Sequence, residues 1–137
     1  MLKQVKELSE RFGIDPGVFK RLGFMLRQET VFIADRKVME FDQVKPIRRG
    51  IRFCRVFPHS VKPTTWAMQI LGKHATRNCI DVTKEQAVEL INGKQLKLNA
   101  AAENGFVIIR CSGHVVGVGH YKSPILKSQI PKYRPVE

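Results

Sequence analysis

The stretch NCIDVTKEQAVELINGK (residues 78–94), followed by GFVIIRCSGHVVGVGHYK (105–122), decides the fold. Its opening NCIDV reads as a strand. Thr83 and Gln86 then form an S/T-x-x-E/Q capping box, which satisfies two orphan N–H groups at a helix start. Ala87, Val88, Leu90 and Ile91 give that helix its apolar stripe, and Gly93 suits the left-handed position just past its end. The rest is β: a short strand at Leu96–Leu98, then GFVIIRC, a turn at SGH, and VVGVGHY. Asn104-Gly105 and Ser112-Gly113 are turn signals flanked by β-branched runs, so they predict a meander. His114 is expected in the hairpin turn, since His tolerates left-handed backbone. The tail KSPILKSQIPKYRPVE (122–137) holds three of the seven prolines and reads as extended, anchored by Ile125, Leu126 and Ile130.

Upstream, Leu2, Val5, Leu8 and Phe12 recur at helical spacing until Gly13. Asp15-Pro16 restarts a short helix as N-cap and first helical residue. FMLR (24–27) and TVFIA (30–34) predict a hairpin, and DRKVMEFD (35–42) a turn with a short strand or helix. Residues 51–57 alternate: Ile51, Phe53, Arg55 and Phe57 on one face, Arg52, Cys54 and Val56 on the other. That strand carries an arginine on each face. TTWAMQILGKH (64–74) is a helix with two i,i+4 apolar pairs, Trp66/Ile70 and Ala67/Leu71. Trp66 is expected in the core, with a base-stacking platform as the alternative.

The 137 residues carry a net charge of +12, spread unevenly. From Gln43 to Ile80 there are eight Lys and Arg and no acid; from Asn104 to Val136 there are five more, again with no acid. A surface serving only solubility intersperses both signs, whereas one-signed segments focus a positive field suited to a polyanion. Nucleic acid is therefore the leading partner class. The N-terminus has no continuous apolar core, so no signal peptide is expected, and no run approaches a membrane span. Cys54, Cys79 and Cys111 are odd in number and lie in apolar runs, as reduced core thiols of a cytoplasmic protein do. No Cys/His cluster has zinc spacing, and none of the four histidines has a carboxylate or cysteine at catalytic spacing. No metal, cofactor or catalytic residue is expected.

Residues 78–134 resemble a PUA domain, the small pseudobarrel of pseudouridine synthases, archaeosine transglycosylases and other RNA-modifying enzymes. The likeness lies in the order strand, capped helix, Gly turn and Gly-punctuated meander. More broadly, RVFPHSVKPTTWAMQILGKHAT (55–76) and YKSPILKSQIPKYR (121–134) resemble an archaeal ribosome-biogenesis family related to the Sun/Fmu methyltransferases. They are also similar to the C-terminal extension of bacterial members that methylate ribosomal RNA cytosines. The likeness covers roughly residues 10–135. It implies a module that binds ribosomal RNA or precursor ribosomes. The catalytic domain of those enzymes uses a Gly-rich loop and Pro-Cys contexts. No Pro-Cys occurs here, and Gly117-x-Gly119 lies inside a β run. The resemblance thus transfers binding without catalysis.

The expected architecture is α+β: a small N-terminal α/β domain over residues 1–75, then a PUA-like β-pseudobarrel over 76–137. The densest basic cluster is Arg48, Arg49, Arg52 and Arg55, whose planar forks suit phosphate. Lys62 and Arg77 flank the Trp66 helix, with Lys73 and His74 beside them. The PUA likeness adds Lys94, Lys122, Lys127, Lys132 and Arg134. Tyr121 and Tyr133 are open to either base stacking or packing. The expected partner is structured RNA, ribosomal RNA first and tRNA second, bound by a monomer rather than an oligomer. Two rivals remain: an adaptor that docks a separate RNA methyltransferase or a ribosomal particle, and an RNA-modifying enzyme with an unrecognised site.

Overall fold

Helix α1 (Lys3–Phe12) buries Val5, Leu8 and Phe12, the face its spacing predicts. Gly13 closes it at φ 59°, a left-handed cap at which a side chain would also run into Thr76. The computed structural model describes residues 2–39 and 51–130. After a single 3-10 turn (Pro16–Phe19) capped by Asp15, strands β1 (Leu22–Arg27) and β2 (Thr30–Asp35) form the expected hairpin. A four-residue helix α2 (Arg36–Met39) follows, and strands β3 (Ile51–Phe57) and β4 (Ser60–Pro63) complete an antiparallel sheet in the order β1-β2-β3-β4. Helix α3 (Thr65–Leu71), capped by the Thr64 hydroxyl, leads out of it.

The second sheet contains β5 (Cys79–Asp81), β6 (Leu96–Lys97), β7 (Gly105–Cys111), β8 (His114–Lys122) and β9 (Ile125–Ser128). Its order is β5-β7-β8-β9-β6, with β5 parallel to β7 and the other pairs antiparallel. Helix α4 (Lys84–Ile91) has both halves of the capping box: the Thr83 hydroxyl accepts from Gln86 N–H, and Gln86 Oε1 accepts from Thr83 N–H. Such a cap stabilises a helix by about 0.5–2 kcal/mol. The β7–β8 turn is made by Ser112 (φ 50°) and Gly113 (φ 80°), so His114 opens β8 rather than occupying the turn.

The alternation of a strand splits the second sheet into two apolar faces. Val107, Ile109, Tyr121, Leu126 and Leu96 pack with Ala87 and Leu90 of α4. Ile108 and Val118 point the other way, into a core shared with Val5, Leu8, Phe12, Phe53, Met68 and Leu71. Phe19, Phe24 and Phe53 meet edge to face, with ring centroids 5.5–6.3 Å apart. One hydrophobic core therefore crosses residue 76 in the chain.

Three expectations change, and one that the sequence left open, Tyr121, closes. Residues 51–57 do not alternate throughout: Phe53 and Cys54 are both buried, because Phe53 is an extra residue bulged against β2, where Phe32 pairs with Arg52 and Val31 with Cys54. Trp66 is not in the core; it is 64% exposed. Tyr121 is core, 1% exposed, its hydroxyl donating to Leu98 O and accepting from Ala100 N–H. Of the cysteines only Cys54 is fully buried; burial first, and Glu7 second, push its thiol up to about 12.

Gly119 sets how closely β9 approaches β8. A Cβ there would lie 2.7 Å from Ile109 Cδ1 and 2.9 Å from the Lys127 carbonyl. Gly119→Ala should destabilise the protein by about 1–3 kcal/mol, the usual cost of overpacking. Urea unfolding measures it, and an unchanged midpoint would refute the packing assigned here. Asn78 is a second pivot: 6% exposed, at φ 57°, it donates to Arg11 O (2.6 Å) and accepts from Glu103 N–H (2.9 Å). Asn78→Ala, which strands both partners, should cost about 1–3 kcal/mol in the same assay.

Candidate functional site

The bulge in β3 decides where two arginines point. Residues three apart on a regular strand face opposite sides, but the extra residue Phe53 returns Arg52 and Arg55 to one side. Both line a cleft of about 620 Å³ together with Thr30, Lys62, Thr64, Trp66 and Gln129. The register places Thr30, Arg55 and Lys62 in one row across β2, β3 and β4. Arg55 and Lys62 are thus directly opposed like charges, an arrangement that destabilises a sheet unless an anion bridges them. The Arg55 guanidinium lies 5.7 Å from the centroid of the Phe57 ring, which limits its swing. Among the described residues no carboxylate lines the cleft, and the ion pairs involve other cations: Arg11 with Glu103, and Arg110 with Asp81.

A second cleft, of about 510 Å³, lies on the other sheet and is lined by Gln95, His120, Lys122, Ser123, Ile125 and Lys127. His120 pairs across the ladder with Lys127, and its ring packs edge-on against Phe106 at 5.2 Å. Lys97 and Lys122 flank Ile125 from either side. Burial holds the His120 imidazole below its ordinary pKa, and Lys127, Arg11 and Lys122 push in the same direction. Lys94 is exposed and precedes Gln95 in the chain.

The two clefts share one piece of chain. Lys127 lines the second, and Gln129, two residues on, lines the first. Two residues of extended chain span about 7 Å. The Gln129 N–H donates to Val118 O at 2.8 Å, which continues the β8 ladder beyond β9. Gly117 makes room for this passage, because a side chain there would collide with Ile130.

Of the residues singled out from sequence, Arg52, Arg55 and Lys62 come together, and Lys122 and Lys127 come together near Lys94. Arg77 stands apart: its Nη2 donates to Glu10 O (2.6 Å) and so ties down the end of α1. Arg48, Arg49, Lys132, Tyr133 and Arg134 lie outside the described residues. Sequence reading missed Thr30, Gln129, Lys97 and His120 as members of these surfaces; only the pairing of the strands collects them. A cleft of about 630 Å³ between α1 and the β3–β4 turn is as large as the first, but it mixes Lys3 and Lys6 with Glu7 and Glu10, so its field largely cancels. Among the described residues no three His, Cys, Asp or Glu come together as metal ligands, and no helix is long and apolar enough to cross a membrane.

Residues 77–134 match the family model described as the Methyltransferase RsmF PUA domain. Two relatives named ribosomal RNA small subunit methyltransferase F, from Aeromonas salmonicida and Aeromonas hydrophila subsp. hydrophila, are 24% identical to this chain over 131 and 133 residues. Each match takes in 93% of this chain and 26% of the relative, so the chain spans about a quarter of the length of these relatives. Among solved structures, a conserved PUA domain protein from Thermoplasma acidophilum matches 88% of this chain and 74% of its own length, with a TM-score of 0.52 at 14% identity. That likeness concerns the fold alone. The capped helix α4 and the meander around it, residues 77–134, thus constitute a PUA domain related to that of the ribosomal RNA methyltransferases.

Proposed function

We propose that this protein binds structured RNA, ribosomal RNA first, and contributes binding rather than catalysis to ribosome assembly or modification. The observation that carries this reading is the opposed pair Arg55 and Lys62 in a cleft whose described lining holds no carboxylate. A phosphate between them turns a repulsion into two charge-assisted hydrogen bonds. The second cleft, with Lys122 and Lys127 in its lining and Lys94 next in the chain to its Gln95, extends the same field along β9. PUA domains are typically RNA-binding modules, and the names of the methyltransferase relatives point to ribosomal RNA. The N-terminal unit (residues 1–75) and the PUA-like unit (76–137) act as two lobes of one surface. An RNA helix on such a surface is read by shape, phosphates and 2′-hydroxyls.

One observation favours a second reading, an adaptor for a separate RNA methyltransferase. An apolar cleft of about 290 Å³ opens on the N-terminal unit between β1, β2, β3 and α3, lined by Leu22, Ile33, Ile51, Ile70 and their neighbours. Pull-down with and without ribonuclease separates the two: RNA-mediated partners vanish with the nuclease, and a docked enzyme stays.

With five to eight phosphates engaged, log affinity should fall linearly with log salt at a slope of about −4 to −7. Arg55→Ala and Lys62→Ala should each weaken binding uniformly across sequences and reduce that slope by about one. Filter binding between low and moderate salt reads both, and a slope near zero would contradict the proposal. A pH dependence follows from His120. Burial first, and then Lys127, Arg11 and Lys122, disfavour its charged form in the free protein; a phosphate arriving beside it favours that form, so binding takes up a proton. Affinity should therefore rise as pH falls through and below 6.5, the ordinary histidine value, and His120→Gln should flatten that rise. Identical pH profiles for the two proteins would place the phosphates away from this cleft.

A further inference from the structure

Trp66 is spare to the fold. Ala67, Met68 and Leu71 fill the inner face of α3, and the indole, the only one in the chain, is left 64% exposed. A large aromatic normally goes to a core or an interface, because its burial contributes more than that of any aliphatic side chain. The cleft beside it is cationic at Arg52, Arg55 and Lys62, with Thr30, Thr64 and Gln129 as further polar groups and Pro63 and Cys54 as apolar ones. A protein-docking face would surround the ring with apolar groups, as happens at Ile70 on the same helix, which borders the apolar cleft instead. A flat π-face beside a row of phosphate-seeking cations matches one ligand chemistry, a nucleotide whose base is free to stack.

We propose that the Trp66 cleft is a site for an unpaired nucleotide, with the base stacked on the indole and the adjoining phosphate held between Arg55 and Lys62. This deepens the RNA-binding reading and rests on it. A paired base in an A-form helix offers its face to its neighbours and not to a side chain, so the ligand here is a loop, a bulge or a single strand. The cleft, at about 620 Å³, falls within the roughly 300–1,000 Å³ usual for small-ligand pockets. Its position is outside the segment that matches the PUA model: every lining residue but Gln129 precedes residue 77. The protein thus holds two kinds of RNA contact, helix-reading on the PUA side and base-reading on the N-terminal side, connected by Lys127 and Gln129.

The single tryptophan makes the test direct, because emission excited at wavelengths too long for tyrosine reports Trp66 alone. The probes are a ten-nucleotide oligoadenylate, the same oligomer with its bases removed, and a blunt RNA duplex. Oligoadenylate should quench Trp66 emission, and the abasic oligomer should not. Trp66→Ala should weaken oligoadenylate binding roughly ten-fold or more, with part restored in Trp66→Phe, and leave duplex affinity within about two-fold. Unchanged oligoadenylate affinity in Trp66→Ala overturns the stacked base and leaves the indole to a protein contact. An equal loss for duplex, abasic and intact strands overturns it too, since the indole would then act by packing. If the unmodified protein binds none of the three probes, the RNA-binding reading itself falls; duplex binding indifferent to Trp66, with no quenching by oligoadenylate, removes only the nucleotide site.

Discussion

The relative position of the two sheets is fixed where α1 ends. The Arg11 guanidinium donates to Phe106 O through Nε (3.1 Å) and Nη2 (2.9 Å), and to Glu103 O (2.8 Å). In return Asn78 takes the Arg11 carbonyl, and the N–H groups of Thr76 and Arg77 both reach Phe12 O. These contacts satisfy the carbonyls that the helix leaves unpaired at its end. They also lock the crossover between the two halves of the chain to the first residues of β7. Underneath, Ile108 and Val118 insert into the N-terminal core. A polar clasp above an apolar plug leaves little freedom for one sheet to rotate on the other, and the line from Lys122 to Lys62 depends on that rigidity.

The clasp also separates cations by their use. Arg11 and Arg77 donate to backbone carbonyls where a loop must be held, and Arg110 on β7 pairs with Asp81 of β5. Arg52, Arg55, Lys62, Lys122 and Lys127 stand on strands whose shape is already set by the ladder. Position along the chain does not separate the two groups, since Arg77 and Lys62 both belong to the long carboxylate-free segment. What separates them is whether a carbonyl, or for Arg110 a carboxylate, lies within reach.

Much of the fold was legible because its signals are local. The Thr83/Gln86 box, the β1–β2 and β7–β8 hairpins and the extended start of the tail at Ile125–Ser128 each depend on a few neighbouring residues, and the structure has them where the sequence puts them. The site was less legible because it depends on register. In α3 both Trp66/Ile70 and Ala67/Leu71 have helical spacing, and periodicity does not say which pair turns inward; packing on β8 chose the smaller residues. In β3 the alternation of IRFCRVF predicts arginines on opposite faces, and only pairing with β2 reveals the extra residue. Tyr121 was equally undecided until its hydroxyl found Leu98 and Ala100 in the interior. A single strand carries no information about which partner residue it skips.

The facing of Arg55 by Lys62 has a consequence for how the molecule responds to its medium. Without a counter-ion the two-stranded tip of the first sheet is electrostatically loaded, and dissolved ions relieve it by screening. The same ions compete with the polyanion for the same side chains. Ionic strength therefore acts with opposite sign on the two properties, firming the empty protein while loosening its grip, so that the buffer most comfortable for storage is the one least suited to detecting what it holds.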